Sequence, residues 1–180
     1  KKIAKLGKDF GFDVPGLRPK KLAGDKSDVF KTHNFFFKKL DINDKNAIIC
    51  VINNNPFINN KIIKKSFEIF KKNKNKFIVM GALKVSSDQV FFRQMKKIKN
   101  SLFPMFKKSL ISSGINRKNY NLYFNTGDIR WGKPSWLIDY KKFNQILISR
   151  GFKFFEMRET EYQDLNTIED WNIAKKKFKK

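Results

Sequence analysis

Apolar side chains near the start of the chain recur at the spacing of one helical face. The positions are Ile3, Ala4, Leu6 and Phe10. This spacing predicts an amphipathic helix, and Gly11 is a residue type that commonly ends helices. The apolar segment 14–17 that follows predicts a short strand, which leads the chain to Arg18.

The next segments alternate between helical and strand patterns. Asp25 or Ser27 can cap a second helix, whose apolar side chains run from Val29 to Leu40. The run 47–52 is apolar throughout and rich in β-branched residues, which is typical of a strand covered on both faces. Asparagines and a proline at 53–56 end this strand.

A third helix and a third strand follow at once. Asn59 or Asn60 can cap a helix with apolar residues up to Phe70, and the segment 77–83 has a strand pattern. Helices and strands therefore alternate with short connections. This order predicts an α/β fold with a mainly parallel sheet and helices on both faces of the sheet.

The second half of the chain has a weaker pattern. The segment 86–118 is mixed, and its polar part, 112–118, is typical of a mobile loop. We predict a strand at 120–124 and a turn at 125–127, followed by an amphipathic stretch at 129–131.

Short elements and a last helix complete the pattern. Pro134 can begin a short helix, and strands are predicted at 146–148 and 152–157. Asn166 or Thr167 can cap the final amphipathic helix, whose end is rich in lysine, as the helix dipole favours.

The charge of the chain is strongly positive, with 40 Lys and Arg against 16 Asp and Glu and a formal net charge of +24. Clustered cations bind nucleic acids because they replace counterions on the phosphate backbone. However, only six of the basic residues are Arg, and the lysines are spread from end to end. This distribution favours a solvated surface, so a nucleic-acid-binding module is a minor alternative, beside a positive cleft for a smaller polyanion such as a nucleotide.

The rest of the composition excludes several classes of protein. One Cys and one His exclude a disulfide framework and give no Cys/His or Ser/His/Asp pattern. No apolar run approaches the roughly 20 residues that span a bilayer, so we expect no membrane association. Cys50 lies within an apolar run, which fits a buried thiol in a reducing compartment, and we expect a cytoplasmic protein. No repeat or linker divides residues 1–180, which predicts a single domain.

Three polar stretches fall where predicted strands end, at 17–25, 53–56 and 163–170. Ligands of open α/β sheets bind at the carboxyl ends of the strands, so these stretches are the candidate sites. Each also has a structural explanation. Arg18 and Asp25 can form a loop salt bridge, the asparagines can form a plain turn, and the acidic stretch can be a helix start.

Four segments carry a family resemblance. They are IAKLGKDFGFDVPGLRPKKLAGD (3–25), AIICVINNNPFI (47–58), YFNTGDIRWGK (123–133) and RETEYQDLNTIEDWNIA (158–174). In this order they resemble the cytidylyltransferases that activate nine-carbon sugar acids, most closely the pseudaminic acid branch beside the N-acylneuraminate enzymes. The resemblance covers nearly the whole chain, and the last segment is the most specific.

The resemblance implies a Rossmann-like nucleotidyltransferase fold. The anomeric hydroxyl of a sugar acid would attack the α-phosphorus of CTP and give a CMP-sugar and pyrophosphate. CTP and the sugar acid would be the partners and Mg²⁺ the cofactor, because in-line transfer needs positioning and a divalent cation rather than a covalent nucleophile. We keep a homodimer among the expected assemblies.

The resemblance also implies roles for individual residues. The nucleotide-binding residues would be Arg18, Asp25, Ser27, Asn53, Asn55 and Pro56. Asn125 and Gly127 would line the sugar pocket. Asp164 would bind Mg²⁺ and, together with Asn166, would form the catalytic acidic turn.

The chain departs from the family pattern at several positions. Asn166 stands where the family has a second Asp, which removes one anionic ligand for a hard cation. Asn55 stands where the family has Thr or Ser, and Asp128 with Arg130 replaces smaller or aromatic residues. A nucleotide-binding relative without catalytic activity is therefore an alternative.

The family begins with a strand and a Gly-rich basic loop that cradles the triphosphate through backbone N–H groups. We expect that segment to precede Lys1, so the sheet is expected to lack its first strands. We accordingly expect the 180 residues alone to be inactive.

Overall fold

The computed structural model describes residues 2–24, 27–40, 47–73, 76–85 and 123–179 and the strands at 95–98 and 101–104. The helices are α1 (Lys2–Asp9), α2 (Val29–Lys39), α3 (Asn60–Lys72), α4 (Pro134–Leu137), α5 (Tyr140–Arg150) and α6 (Ile168–Phe178). The strands are β1 (Ile49–Ile52), β2 (Val79–Lys84), β3 (Met95–Ile98), β4 (Ser101–Pro104), β5 (Tyr123–Gly132) and β6 (Lys153–Met157). Short 3₁₀ turns occupy Lys20–Leu22 and Glu159–Glu161.

The main sheet has four strands in the order β1-β5-β2-β6. β5 is antiparallel to both β1 and β2, whereas β2 and β6 are parallel. The α/β class is confirmed. β1, β2 and β6 run in the same direction, as a mainly parallel sheet requires, but two of the three pairings are antiparallel because β5 enters between β1 and β2 in the opposite direction. Alternation of helices and strands in the first half of the chain could not show this insertion. β3 and β4 form a separate antiparallel pair.

Helices cover both faces of the main sheet, as predicted. Successive side chains of β2 point to opposite faces, as the pleat of a strand requires. Val79 lies in one buried cluster with Phe70 of α3. Met80 lies in a second cluster with Phe30 of α2 and Leu137 of α4. Each face of β2 therefore has its own apolar core.

β5 contains a bulge where the sequence predicts a turn. Met80 pairs with Arg130 and Ala82 pairs with Asn125. One residue of β2 therefore lies opposite four residues of β5. Gly127 has φ +65, a conformation that residues with a Cβ rarely adopt, and it lets the strand absorb the extra residues. The predicted turn at 125–127 is therefore wrong as a chain reversal, since the strand continues through it.

Two predicted helix starts and one predicted strand match the structure closely. Asn59 caps α3 by accepting from the backbone N–H of Lys61 and Ile62. Thr167 caps α6 in a reciprocal capping box with Asp170. The strand predicted at 77–83 is confirmed as β2.

Several local predictions are wrong. Segment 14–17 is irregular and not a strand, and segment 146–148 lies inside α5. A short apolar run cannot be assigned to helix or strand by periodicity alone. α2 is capped by Asp28, whose side chain accepts from the backbone N–H two residues later, and not by Asp25 or Ser27.

Two further predictions concern β1 and the central segment. β1 lies at an edge of the described sheet, and its residues are half-buried or exposed rather than covered on both faces. The mobile loop predicted at 112–118 lies outside the described residues. In the part of the chain that the structure describes, no helix is long and apolar enough to cross a membrane.

The thiol of Cys50 on β1 is expected to be unreactive in the folded protein. Burial raises its pKa to about 12, so the nucleophilic thiolate is scarce at pH 8. An unfolded Cys loses its proton near pH 8.5, so this group lowers stability as the pH rises from about 8.5 toward 12. Mass spectrometry after iodoacetamide treatment at pH 8 should find Cys50 alkylated in urea only. Rapid alkylation without urea would contradict this burial.

Candidate functional site

The loop after β1 is tied to the bulge of β5. The backbone N–H of Asn53 donates to the carbonyl oxygen of Asp128 at 2.8 Å. The side-chain Nδ2 of Asn53 donates to the carbonyl oxygen of Gly127 at 2.7 Å. The polar loop that ends the first strand is therefore fixed against the segment predicted to line the sugar pocket.

Asn55 joins three segments through its side-chain amide. It is only 6% exposed. Its Nδ2 donates to Asp128 Oδ2 at 2.6 Å and to the carbonyl oxygen of Glu161 at 2.9 Å, and its Oδ1 accepts from the backbone N–H of Phe57 at 3.0 Å. Pro56 lies within this small turn and is half-buried. Asn55 thus has a structural role between β1, the bulge and the segment after β6.

Asp128, one of the residues that depart from the family pattern, is a buried carboxylate. It is 4% exposed. Oδ2 accepts from Asn55, and Oδ1 accepts from the hydroxyl of Thr126. Hydrogen bonds to both oxygens offset the cost of burying the charge.

The segment after β6 forms the third side of the site. Nζ of Lys177, on α6, donates to the carbonyl oxygens of Glu159 and Tyr162 at 3.1 and 2.7 Å, and to Gln163 Oε1 at 3.2 Å. Asn54 Nδ2 donates to the carbonyl oxygen of Leu165, next to Asp164, at 2.9 Å. This segment is therefore held both by α6 and by the loop after β1.

Asp164 and Asn166 are in direct contact at the acidic turn. Asn166 Nδ2 donates to Asp164 Oδ2 at 2.8 Å. Burial raises the pKa of the nearby Tyr162 hydroxyl, and the negative charges of Asp164, Asp128 and Asp170 raise it further. The Tyr162 hydroxyl is therefore neutral at neutral pH, and it lies in a field of negative charge.

These segments enclose one cleft with about 410 Å³ of space that is open to solvent. The lining residues are Asn53, Asn54, Asn55, Thr126, Gly127, Asp128, Arg130, Tyr162 and Asp164. Two of the three candidate stretches, 53–56 and 163–170, therefore meet at a single place.

The other predicted site residues lie elsewhere. Arg18 is exposed and does not line the cleft. Ser27 is half-buried, and its backbone N–H donates to the carbonyl oxygen of Gly24 at 2.9 Å. Asp25 lies outside the described residues. Asn125 is exposed beside the cleft, where its Oδ1 accepts from the backbone N–H of Gly127 at 3.0 Å.

Among the described residues that line the cleft, Arg130 is the only cation. Its Nε donates to the carbonyl oxygen of Gly127 at 3.1 Å. Burial lowers the pKa of its guanidinium, while the charge of Asp128 raises it. Neither Arg130 nor Thr126 could be assigned to a site from the sequence, because their positions depend on the bulge.

The donor set of the cleft fits a magnesium ion that is shared with a phosphate. No group of three His, Cys, Asp or Glu side chains in the described ranges could hold a metal by itself. Mg²⁺ at phosphate-transfer sites commonly uses only one or two carboxylates and takes its other ligands from water and phosphate. Asp164 lines the cleft, and Asn166 contacts only one of its two carboxylate oxygens in the described part of the chain. No described residue donates a hydrogen bond to the other oxygen, which could therefore bind a cation.

Gly81 has no side chain, which leaves space for side chains of the β5 bulge. Gly81→Ala is therefore expected to destabilise the protein by about 1–3 kcal/mol. A Cβ at this position would lie 2.6 Å from Thr126 Oγ1, 2.7 Å from Met157 Sδ and 3.0 Å from Asp128 Oδ1. Urea denaturation measures the loss. Gly24→Ala is the control, because a Cβ at Gly24 would meet none of the described residues within 4 Å. Equal stability of the two variants would contradict the described packing around the bulge.

Comparison with known proteins agrees with the resemblance seen in the sequence. No protein-family model matches the chain. The chain is 24% identical over 169 residues, 94% of its length, to the Helicobacter pylori (strain ATCC 700392 / 26695) protein named pseudaminic acid cytidylyltransferase and UDP-2,4-diacetamido-2,4,6-trideoxy-beta-L-altropyranose hydrolase. It spans 31% of the length of that relative. The chain is therefore similar, at low identity and over nearly all of its own length, to part of a protein named as a cytidylyltransferase.

Proposed function

We propose that this chain forms part of a cytidylyltransferase that transfers CMP from CTP to a nine-carbon sugar acid of the pseudaminic type. One observation carries the proposal. The segments at 53–55, 126–130 and 162–164 belong to three separate parts of the resemblance, and they line the same cleft. The relative named as a cytidylyltransferase covers 94% of the chain, which includes all three segments. This supports a nucleotidyltransferase type of function.

The proposed reaction is an in-line displacement at phosphorus. The anomeric oxygen of the sugar acid forms a bond to the α-phosphorus of CTP, and the bond from this phosphorus to the pyrophosphate oxygen breaks. The hydroxyl proton leaves to solvent, and the products are CMP-sugar and pyrophosphate. Such a displacement depends on positioning and charge stabilisation, which a rigid polar cleft can supply.

The residues of the cleft have distinct parts in this proposal. Asp164 would hold Mg²⁺, which when bound would neutralise charge on the phosphates. Asn166 orients the carboxylate of Asp164 through their 2.8 Å hydrogen bond. Asn53 fixes the position of Gly127, which with Asn125 would contact the sugar.

The base of CTP is proposed to lie toward the other predicted residues. Arg18, Asp25 and Ser27 come from the segment of the resemblance that would contact cytosine, outside the lining of the cleft described above. Asn55 and Pro56 would border the nucleotide from the loop after β1. We also propose that the domain has a Rossmann-like nucleotidyltransferase fold.

Calorimetric titration with nucleotides tests this function. The protein, expressed from its whole gene, should bind CTP with Mg²⁺ more tightly than it binds UTP or ATP. A short DNA duplex, titrated at two salt concentrations, is the comparison. DNA binding with a steep salt dependence and no preference for CTP would favour the nucleic-acid-binding module instead. CTP binding without any turnover would favour the inactive relative.

A further inference from the structure

Arg130 is held in the cleft with most of its hydrogen-bonding capacity unused. It lies on β5 and is half-buried. Its Nε donates to the carbonyl oxygen of Gly127 at 3.1 Å. Within the described ranges, its two terminal nitrogens make no hydrogen bond to the protein. These nitrogens carry the donors that bind oxyanions in pairs.

Two aromatic rings hold the guanidinium in place. The guanidinium carbon of Arg130 lies 5.5 Å from the ring centre of Phe30 and 5.4 Å from that of Phe143. The two rings lie 5.2 Å apart and are tilted by 55°. Contacts of this kind are attractive and restrict the motion of the side chain before any ligand binds. Arg130 therefore loses less conformational entropy on binding a ligand than a flexible cation would.

The charge of Arg130 is not neutralised by an ion pair among the described residues. Asp128 is near enough to raise the pKa of Arg130, but its oxygens already accept from Asn55 and Thr126. His33 is also close enough to feel this charge: burial, followed by the charge of Arg130, lowers the pKa of the imidazole, and the charge of Asp28 raises it. His33 is therefore neutral at neutral pH. The nearby charge of Asp128 offsets only part of the cost of burying this cation, because no described residue forms a direct ion pair with it, and an anionic ligand would offset more of that cost.

We propose that Arg130 binds the carboxylate of the sugar acid and thereby selects acidic over neutral sugars, an inference that rests on the proposed function. A carboxylate is planar and matches the guanidinium fork with two parallel hydrogen bonds. Arg130 contacts the Gly127 carbonyl oxygen, beside the position proposed for the sugar. The carboxylates of Asp128 and Asp164 line the cleft and would repel the phosphates of CTP. The phosphates would therefore lie only where Mg²⁺ on Asp164 neutralises their charge.

Titration with an acid and its ester tests this assignment. Pseudaminic acid and its methyl ester are titrated into the protein by calorimetry, with Mg²⁺ and CDP present so that no transfer occurs. The wild-type protein should bind the acid at least tenfold more tightly than the ester, since a charge-assisted bidentate contact is typically worth about 10- to 100-fold in affinity. Arg130→Gln should weaken acid binding by about the same factor and leave ester binding unchanged.

Two further variants complete the experiment. Arg130→Lys keeps the charge and loses the fork, so it should bind the acid with an affinity between those of the wild type and Arg130→Gln. Arg150→Gln changes an exposed arginine at the end of α5, outside the cleft, and should bind the acid like the wild type. Circular dichroism establishes that each variant is folded. If Arg130→Gln does not fold, the role of Arg130 is tested by two other measurements. They are the affinity of Arg130→Lys for the acid and the ratio of the wild-type affinities for acid and ester.

Equal wild-type affinities for acid and ester, or equal loss of both ligands in Arg130→Gln, would overturn the role of Arg130. In that case CTP binding by the wild type would leave the proposed function standing. Failure of the wild type to bind both CTP and the acid would instead contradict the proposed function.

Discussion

Asp164→Asn is expected to lower the rate of CMP transfer by at least about 100-fold, because it removes the carboxylate charge proposed to hold the metal against the phosphates. Asparagine has the same shape, and the side chain of Asp164 is half-buried with a hydrogen bond to Asn166. The fold should therefore remain intact. Pyrophosphate release by the protein expressed from its whole gene measures the effect.

A matched variant separates the metal site from a general effect of charge. Asp13→Asn removes a carboxylate from an exposed position that does not line the cleft, so its rate should equal that of the wild type. Higher Mg²⁺ concentration should partly restore the Asp164→Asn variant if the loss is one of metal affinity. Undiminished pyrophosphate release by Asp164→Asn would show that the metal is held elsewhere.

Asn55→Ala is expected to reduce the free energy of unfolding by about 2–4 kcal/mol. The substitution removes hydrogen bonds to Asp128, to the carbonyl oxygen of Glu161 and from the backbone N–H of Phe57. It also leaves an oxygen of the buried Asp128 carboxylate without its donor, which adds a desolvation cost. Urea denaturation with an unchanged slope m measures the loss.

The neighbouring Asn54 provides the control for this prediction. It is exposed, and its side chain makes one hydrogen bond, to the carbonyl oxygen of Leu165, in the described part of the chain. Asn54→Ala should therefore cost less than about 1 kcal/mol. If Asn54→Ala and Asn55→Ala were equally stable, the buried network around Asp128 would not exist in solution.

Two parts of the site could be predicted from the sequence, one from the end of a strand and one from the family resemblance. Asn53 and Asn55 come at the end of an apolar run, and polar residues at the carboxyl end of a sheet strand commonly line a ligand site. Asp164 lies in the most specific segment of the resemblance. In these places the local pattern and the tertiary structure agree.

The bulge of β5 could not be predicted, because it depends on a strand that is distant in sequence. Thr126, Gly127 and Asp128 have the composition of a turn, and this is what the sequence predicts. They continue a strand because β2 pairs with β5 on both sides of the bulge. Gly81 also leaves space for two of their side chains. Tertiary pairing here overrides the local preference, as it often does in sheets.

The direction of β5 is the other feature that the sequence did not reveal. Regular alternation of helices and strands up to Lys84 is typical of parallel sheets, and β2 and β6 do form a parallel pair. β5 lies between β1 and β2 and runs in the opposite direction to both. This arrangement places the bulge beside the loop after β1, where Asn53 and Asn55 contact it.

Product analysis of a complete reaction tests the central claim most directly. The protein expressed from its whole gene is incubated with CTP, MgCl₂ and pseudaminic acid, and the mixture is analysed by ³¹P NMR and mass spectrometry. We expect a CMP-sugar and one pyrophosphate for each CTP consumed, with no consumption of CTP when the sugar acid is omitted. CTP left unchanged in the complete mixture, or hydrolysed to CMP at a rate independent of the sugar acid, would contradict the proposed function.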